Sequence, residues 1–198
     1  MIMLSISMAF MSVSYPQGYS IGDAASDFKL KNTDGKMVSL NDYPASKGFI
    51  VIFTCNHCPY AQAYQERIQS LDTKYSALGF PVIAINPNDP NLVPEDSYEN
   101  MVTLAKQKNL TYPYLFDATQ DVYRKYGANR TPHAFLLEKK GNRLIVRYIG
   151  AIDDNYQDAS QVKTPYLANA IDALLAGKTP DPTMTKSIGC SIKDKQLH

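Results

Sequence analysis

The sequence contains no tryptophan and only three cysteines among its 198 residues. Three cysteines are too few for a small disulfide-rich scaffold, so the fold must depend on an ordinary apolar core. Charge of either sign is also not in excess, because 20 Lys and Arg stand against 19 Asp and Glu. Since no basic cluster is present, nothing in the sequence predicts binding to nucleic acid or to an anionic membrane.

The sequence has no apolar run long enough to span a bilayer. Its first eleven residues, Met1 to Met11, are apolar and have the length of a signal-peptide core, but they include no Lys or Arg. Two interpretations of residues 1–21 stay open: a remnant of an export signal, or a hydrophobic segment packed on the domain. The sequence favours an exported or periplasmic location only slightly over a cytoplasmic one.

The most informative motif is Cys-Asn-His-Cys at residues 55–58. The run Gly48–Phe53 before it predicts a buried strand, and apolar residues after it recur at alternate spacings of three and four, which predicts a helix. Cys55 therefore lies where a strand leads into a helix N-terminus. Free backbone N–H groups and the helix dipole favour a thiolate there, so we expect the pKa of Cys55 to fall below the free value of about 8.5.

Patterns elsewhere predict one α/β domain, with a central sheet covered by helices. The predicted elements are a hairpin over 27–40, a buried strand at 80–86, a loop at 86–94, a short strand at 112–116, helices at 96–108, 119–126 and 165–175, and a second hairpin from 134–137 and 143–149. The tail over 178–198 has little periodicity and is expected to be a surface wrap or disordered.

These motifs resemble the thioredoxin-like superfamily, and more narrowly its redoxin branch, which merges with the alkyl hydroperoxide reductase/thiol-specific antioxidant group. The resemblance is carried by the Cys-x-x-Cys pair after a core strand, by Thr131-Pro132 before a later strand, and by Phe116–Gln120 and Tyr126-Gly127 between them. It covers residues 22–177 and implies a mixed sheet flanked by helices, with an N-terminal hairpin and an insertion at 86–110. Some exported bacterial redoxins look similar even in the tail around 188–193.

The resemblance implies a thiol-disulfide oxidoreductase with a redox-active disulfide between Cys55 and Cys58. Cys55 would attack a disulfide, and Cys58 would resolve the mixed disulfide by attacking the sulfur of Cys55. No metal or other cofactor is then required. The partners would be protein or small-molecule thiols and disulfides, while the electron donor and the oligomeric state stay unknown.

Neighbouring residues have supporting roles in this interpretation. Pro132 would be cis, and Thr131 would offer backbone N–H and C=O groups to an extended substrate segment. A protonated His57 would stabilise the thiolate form and make the disulfide more oxidising, whereas the alternative is a solvated loop histidine. Thr54 and Asn56 stand where thioredoxin itself has Trp and Gly, so general thioredoxin activity is not implied.

Two further residues have undecided roles. Arg130 would lie near the dithiol and support a thiolate, or it would be a solvated arginine. Cys190 would pair with a partner, exchange electrons with the Cys55–Cys58 pair, or serve as a small buried residue. The sequence favours the last of these, since free cysteine is among the most buried residue types.

Competing functions are weaker. Cys55, His57, Cys58 and Cys190 supply nitrogen and sulfur ligands, but a structural zinc site usually shows two paired clusters, so no metal site is predicted. A peroxiredoxin-like peroxidase is the runner-up, although its Pro-x-x-x-Thr-x-x-Cys pattern fits neither cysteine of the motif. A non-enzymatic binding module on the same fold is the third possibility.

Overall fold

The structure is a computed structural model that describes residues 18–196. The proposed signal remnant at Met1–Met11 lies outside these residues. Within them, no helix combines the length and the apolar character needed to cross a membrane.

The domain is built on a mixed β-sheet with helices on both faces. The strands are β1 Ala24–Ala25, β2 Lys29–Asn32, β3 Met37–Ser39, β4 Gly48–Phe53, β5 Val82–Asn86, β6 Tyr114–Phe116, β7 Arg130–Thr131, β8 His133–Lys140, β9 Arg143–Gly150 and β10 Cys190–Ser191. The helices are α1 Pro59–Tyr75, α2 Tyr98–Gln107, α3 Asp121–Tyr126 and α4 Tyr166–Leu175. The main sheet has the order β1-β9-β8-β4-β5-β6-β2-β3, and β10 pairs with β7 in a separate ribbon.

Strand β4 lies at the centre of the sheet and is buried along its whole length. It pairs in parallel with β5 and antiparallel with β8. Ile50 and Ile52 pack with residues of α1, α2 and α4, whereas Phe49, Val51 and Phe53 pack with residues of α3 on the other face. Because both faces of β4 are covered, the strand is apolar at every position rather than at alternate ones. The predicted α/β class is confirmed.

The two predicted hairpins are present as β2–β3 and β8–β9. Gly35 has φ 86° in the first turn, and Gly127 has φ 76° at the C-terminus of α3, conformations that glycine adopts without a steric penalty. The predicted loop over 86–94 differs from a typical surface loop. Asn88, which lies in it, and Asp96, which follows it, are almost completely buried.

The tail over residues 178–196 packs against the domain. Of the two structures predicted for it, a surface wrap or a disordered segment, the structure shows the surface wrap. Its first part follows β9, where the N–H of Thr185 donates to the carbonyl of Ile149 at 3.0 Å. Its middle part forms β10 beside β7. At its end, the carboxylate of Asp194 receives two hydrogen bonds from the Arg124 guanidinium, at 2.6 and 2.9 Å, and contacts the Tyr123 hydroxyl.

The Arg124–Asp194 ion pair fixes the end of the tail, and its removal tests how strongly the tail is held. We expect Asp194→Asn to lower the free energy of unfolding by about 2–4 kcal/mol, because it leaves a largely buried guanidinium without its counter-charge. Urea denaturation of the oxidised protein measures this loss.

Asp121→Asn is the matched control, since Asp121 also approaches Arg124, at 3.9 Å, but with a side chain that is 78% exposed against 4% for Asp194. It should cost about 0.5 kcal/mol or less. Equal losses for the two variants would contradict a tail anchored by a buried ion pair.

Candidate active site

The motif at residues 55–58 connects β4 to α1. The N–H of Thr54 donates to the carbonyl of Ile85 at 2.8 Å, which extends the β4–β5 pairing by one residue. Cys58 is the N-cap of α1, and Pro59 occupies the first helical turn, where its missing N–H breaks no hydrogen bond. The turn therefore places Cys55 just before the helix, as the sequence predicts.

Thr131 brings the cysteines together. Its peptide bond with Pro132 is cis, as the resemblance implied. The Thr131 hydroxyl oxygen lies 3.2 Å from the sulfur of Cys55, and its carbonyl oxygen lies 3.2 Å from the sulfur of Cys58. In the β7–β10 ribbon, Cys190 is the residue that pairs with Thr131. The two cysteines of the motif thus share one neighbour with Cys190, which is distant from them in sequence.

The disulfide in this structure joins Cys58 to Cys190, and Cys55 is a free, buried thiol. The structure therefore differs from the expected Cys55–Cys58 bond, and Cys190 is not the unpaired buried residue that the sequence favoured. The physical reason is the strand register: opposite Thr131, the Cα of Cys190 lies 6.1 Å from that of Cys58, within the range of disulfides.

The pKa of Cys55 is raised to about 12, first because burial disfavours the thiolate and second because the Asp96 carboxylate lies near it. The hydroxyl of Thr131 and the backbone N–H groups of Cys58 and His57 act in the opposite direction and lower this pKa. The expectation of an acidified thiol is therefore wrong for this disulfide state. The helix-terminus donors are present, but burial and a negative neighbour outweigh them.

Asp96 is the site residue that the sequence did not reveal. One carboxylate oxygen accepts the backbone N–H groups of Asn56, at 2.7 Å, and His57, at 3.0 Å. The other lies 2.5 Å from Nδ1 of His57 and accepts the side-chain amide of Asn88 at 2.6 Å. Asp96 thus holds both central residues of the motif. The cluster of asparagines after β5 was the available signal, but it was interpreted only as a loop.

His57 and Asn56 are each held by side-chain contacts of their own. Nδ1 of His57 lies 3.7 Å from the sulfur of Cys55, so the imidazole stands between the thiol and Asp96. The side chain of Asn56 accepts the Tyr114 hydroxyl at 2.9 Å and donates to the carbonyl of Glu95 at 2.9 Å. These bonds fix the turn, so its conformation does not depend on the cysteines alone.

Thr54 and Asn56 line a cavity of about 20 Å³ next to Cys55, together with Tyr112 and Tyr114. A volume of this size holds about one water molecule. An organic disulfide therefore does not fit into this cavity.

Cys55, His57 and Asp96 also place three possible metal-ligand atoms within 4.8 Å of one another. Both oxygens of Asp96, however, are engaged by protein donors: two backbone N–H groups on one, and the Asn88 amide and the His57 ring on the other. This arrangement indicates that the Asp96 carboxylate orients His57 rather than serving as a metal ligand.

Arg130 is directed at the tail. Its guanidinium donates to the carbonyl of Gly189 at 2.9 Å. Its charge also acts on His133, whose pKa is lowered to about 4 mainly by burial and secondarily by Arg130. His133 is 7% exposed, and its Nδ1 has no hydrogen-bond partner among residues 18–196. Neither side chain reaches the Cys55 sulfur through a contact of this structure.

Comparisons with known proteins bear on the family and the fold of this chain. The model of the AhpC/TSA family matches residues 21–149. A thiol-disulfide oxidoreductase ResA from Geobacillus thermodenitrificans is 28% identical over 122 residues, which cover 62% of this chain and just under two thirds, 66%, of that protein.

Solved structures extend the likeness to the tail. An uncharacterized conserved protein from Geobacillus kaustophilus is 35% identical, with a TM-score of 0.81 over 96% of this chain and 98% of its own. A putative thiol:disulfide interchange protein DsbE from Chlorobium tepidum is 26% identical, with a TM-score of 0.53 over 64% of this chain and 84% of its own. The predicted thioredoxin-like fold is confirmed.

The raised pKa of Cys55 predicts how its reactivity depends on pH. In the oxidised protein only Cys55 can be alkylated, and we expect its rate with iodoacetamide to rise about tenfold per pH unit from about pH 7 to pH 10 without a plateau, because the thiolate stays a small fraction throughout. A plateau near neutral pH would indicate an acidified thiol and contradict the prediction.

Asp96→Asn should make Cys55 more reactive, because it removes the negative charge that raises the pKa of this thiol. A fall of one pKa unit increases the thiolate at pH 8 about tenfold, and we expect alkylation to accelerate by roughly this factor. Glu95→Gln is the control: it removes an exposed carboxylate one residue away and should change the rate by less than about twofold. An unchanged or lower rate in Asp96→Asn would show that Asp96 does not hold the thiol neutral.

Proposed function

Because this chain belongs to the AhpC/TSA family of thioredoxin-like redoxins, we propose that it is a thiol-disulfide oxidoreductase whose chemistry resides in Cys55 and Cys58. The observation that carries this proposal is the meeting of both sulfurs at Thr131, before the cis proline, at the N-terminus of α1. The names of the ResA relative and of the DsbE-like structure support the same activity.

The proposed reaction starts from the reduced protein. The Cys55 thiolate attacks one sulfur of a substrate disulfide, forms a mixed disulfide and releases the first substrate thiolate, which takes up a proton. The Cys58 thiolate then attacks the sulfur of Cys55 and releases the second substrate thiolate. The substrate gains two electrons, and the two cysteines lose them as they form a disulfide. The same exchange run backwards oxidises a dithiol.

His57 and Asp96 act on this exchange as positioning residues. The negative charge of Asp96 opposes formation of the Cys55 thiolate. The same carboxylate holds the backbone N–H groups of Asn56 and His57 and the His57 ring, so it fixes the turn that carries Cys55.

The proposed exchange uses cysteine sulfurs as the only electron carriers, so we propose that it needs no metal or organic cofactor. Its partners are thiols and disulfides of proteins or small molecules. Once β10 has left the edge of β7, Thr131 would offer its backbone N–H and C=O groups to an extended substrate segment, as in β-strand addition.

A thiol peroxidase is the second candidate, favoured by the water-sized cavity beside Cys55, which is close to the size of hydrogen peroxide. The raised pKa of Cys55 opposes it, because the thiolate is the peroxidatic form. Stopped-flow mixing of the reduced protein with hydrogen peroxide separates the two functions: fast sulfenate formation at Cys55 supports the peroxidase.

Trapping of the mixed disulfide tests the oxidoreductase. In the double variant Cys58→Ser/Cys190→Ser, Cys55 is the remaining cysteine, so a protein disulfide substrate such as oxidised insulin should form a stable adduct with it. We expect mass spectrometry to find this adduct on Cys55, released by dithiothreitol, and no release before dithiothreitol is added, because no second cysteine of the protein remains to resolve it.

The matched variant is Cys55→Ser/Cys190→Ser, which keeps only Cys58 and should accumulate no adduct, since Cys58 is fully buried. Adduct formation on Cys58, or full turnover without Cys55, would refute the assigned roles. Unchanged biological output in Cys55→Ser would support the binding-module alternative.

A further inference from the structure

The proposed two-cysteine exchange leaves Cys190 without a role, although the structure bonds it to Cys58. Its strand, β10, occupies the edge of β7 at Thr131. This is the edge at which an extended substrate segment is expected to pair. The tail thus presents its own cysteine to the site in the manner of a bound substrate, but within the same chain.

We propose that Cys190 is a third redox-active thiol, which accepts the disulfide from the Cys55–Cys58 pair and stores it as Cys58–Cys190. The inference rests on the proposed function and adds a catalytic residue to it. Three contacts support it: Thr131 touches the sulfurs of Cys55 and Cys58 and pairs with Cys190.

The transfer conserves electrons. After the substrate has been reduced, the Cys190 thiolate attacks the sulfur of Cys58 in the Cys55–Cys58 disulfide. The bond from Cys58 to Cys190 forms, the bond to Cys55 breaks, and Cys55 leaves as a thiolate that takes up a proton. The product has a Cys58–Cys190 disulfide and a free Cys55 thiol, as in this structure.

Accessibility determines where the oxidised protein is reduced again. Cys55 and Cys58 are 4% and 0% exposed, whereas Cys190 is half-buried. Because Cys190 is the more exposed residue, we expect an external thiolate to attack the sulfur of Cys190 and to displace Cys58 as a thiolate, which takes up a proton. A second external thiolate then releases Cys190. In this cycle the substrate is reduced through Cys55 and the electron donor enters through Cys190.

Gly189 offers a test that leaves all three sulfurs in place. A Cβ atom added at this position would lie under 3.0 Å from the carbonyl group of Thr131, closer than real Cβ atoms come to backbone atoms. Gly189→Ala should therefore push β10 away from β7 and favour the Cys55–Cys58 disulfide. Ser191→Ala is the matched control, because the exposed Ser191 hydroxyl accepts a hydrogen bond from Lys193 and has no other side-chain bond among residues 18–196.

The first experiment maps disulfides in the full chain. The reduced protein is oxidised with bis(2-hydroxyethyl) disulfide, quenched with acid, alkylated and analysed by peptide mass spectrometry. We expect Cys58–Cys190 to exceed Cys55–Cys58 by about tenfold or more in the wild type and in Ser191→Ala, and this ratio to fall by about tenfold or more in Gly189→Ala. A wild type that retains Cys55–Cys58 with Cys190 alkylated overturns the proposal.

The second experiment measures turnover of Cys190→Ser with insulin as substrate and dithiothreitol as donor. A pre-reduced variant should complete its first turnover at the wild-type rate within about twofold, but its steady-state rate should fall about tenfold or more because the donor must reach buried sulfurs. Loss of the first turnover as well would mean a structural role, and an unchanged steady state would mean no role; either result overturns the inference. Failure of the proposed function is distinguishable, because Cys55→Ser would then keep its activity.

Discussion

The pairing of Cys190 with Thr131 across the β7–β10 ribbon is the constraint on which the rest of the site depends. It places the sulfur of Cys190 against Cys58, and Cys190 packs against the small cluster that Cys55, Cys58 and Ala61 form. Burial is the largest cause of the raised pKa of Cys55. The register of one short strand therefore determines which sulfurs are bonded and which sulfur is free.

The tail is held at this position by more than the disulfide. Asp194 is tied to Arg124 in a largely buried ion pair, and the backbone N–H and C=O of Lys193 bond the side chain of Asn88 and the backbone N–H of Asp89. Reduction of Cys58–Cys190 would thus leave the middle of the tail held by the β7–β10 pairing and the Arg130–Gly189 bond, while both its ends stay attached, since Thr185 remains bonded to Ile149. A segment held at both ends returns quickly, because little chain entropy is lost on closure.

Local patterns in the sequence predicted the parts of the fold that depend on local physics. The uniform apolar run of β4 and the helical spacing of α1 located Cys55 at the strand–helix junction, and the resemblance located the cis peptide before Pro132. The partner of Cys58 was missed because it lies 132 residues away, and its position follows from strand register rather than from spacing. Asp96 was missed for the same reason, since its bonds to the motif cross 39 and 40 residues. The prediction of a lowered pKa for Cys55 was wrong as a consequence. It took account of the helix terminus but not of the burial of Cys55 or of the Asp96 carboxylate.

These two missed residues act together on one thiol. While β10 covers the site, burial and Asp96 both disfavour the thiolate of Cys55, so the free thiol is protected from alkylation and oxidation. In the proposed cycle β10 must leave Thr131 before a substrate segment can pair at that edge, and the donors at the start of α1 stay beside Cys55 when it does. A partner that opens β10 without reducing Cys58–Cys190 would find a reactive Cys55 with no thiol to resolve it, so productive exchange requires reduction of the tail disulfide first.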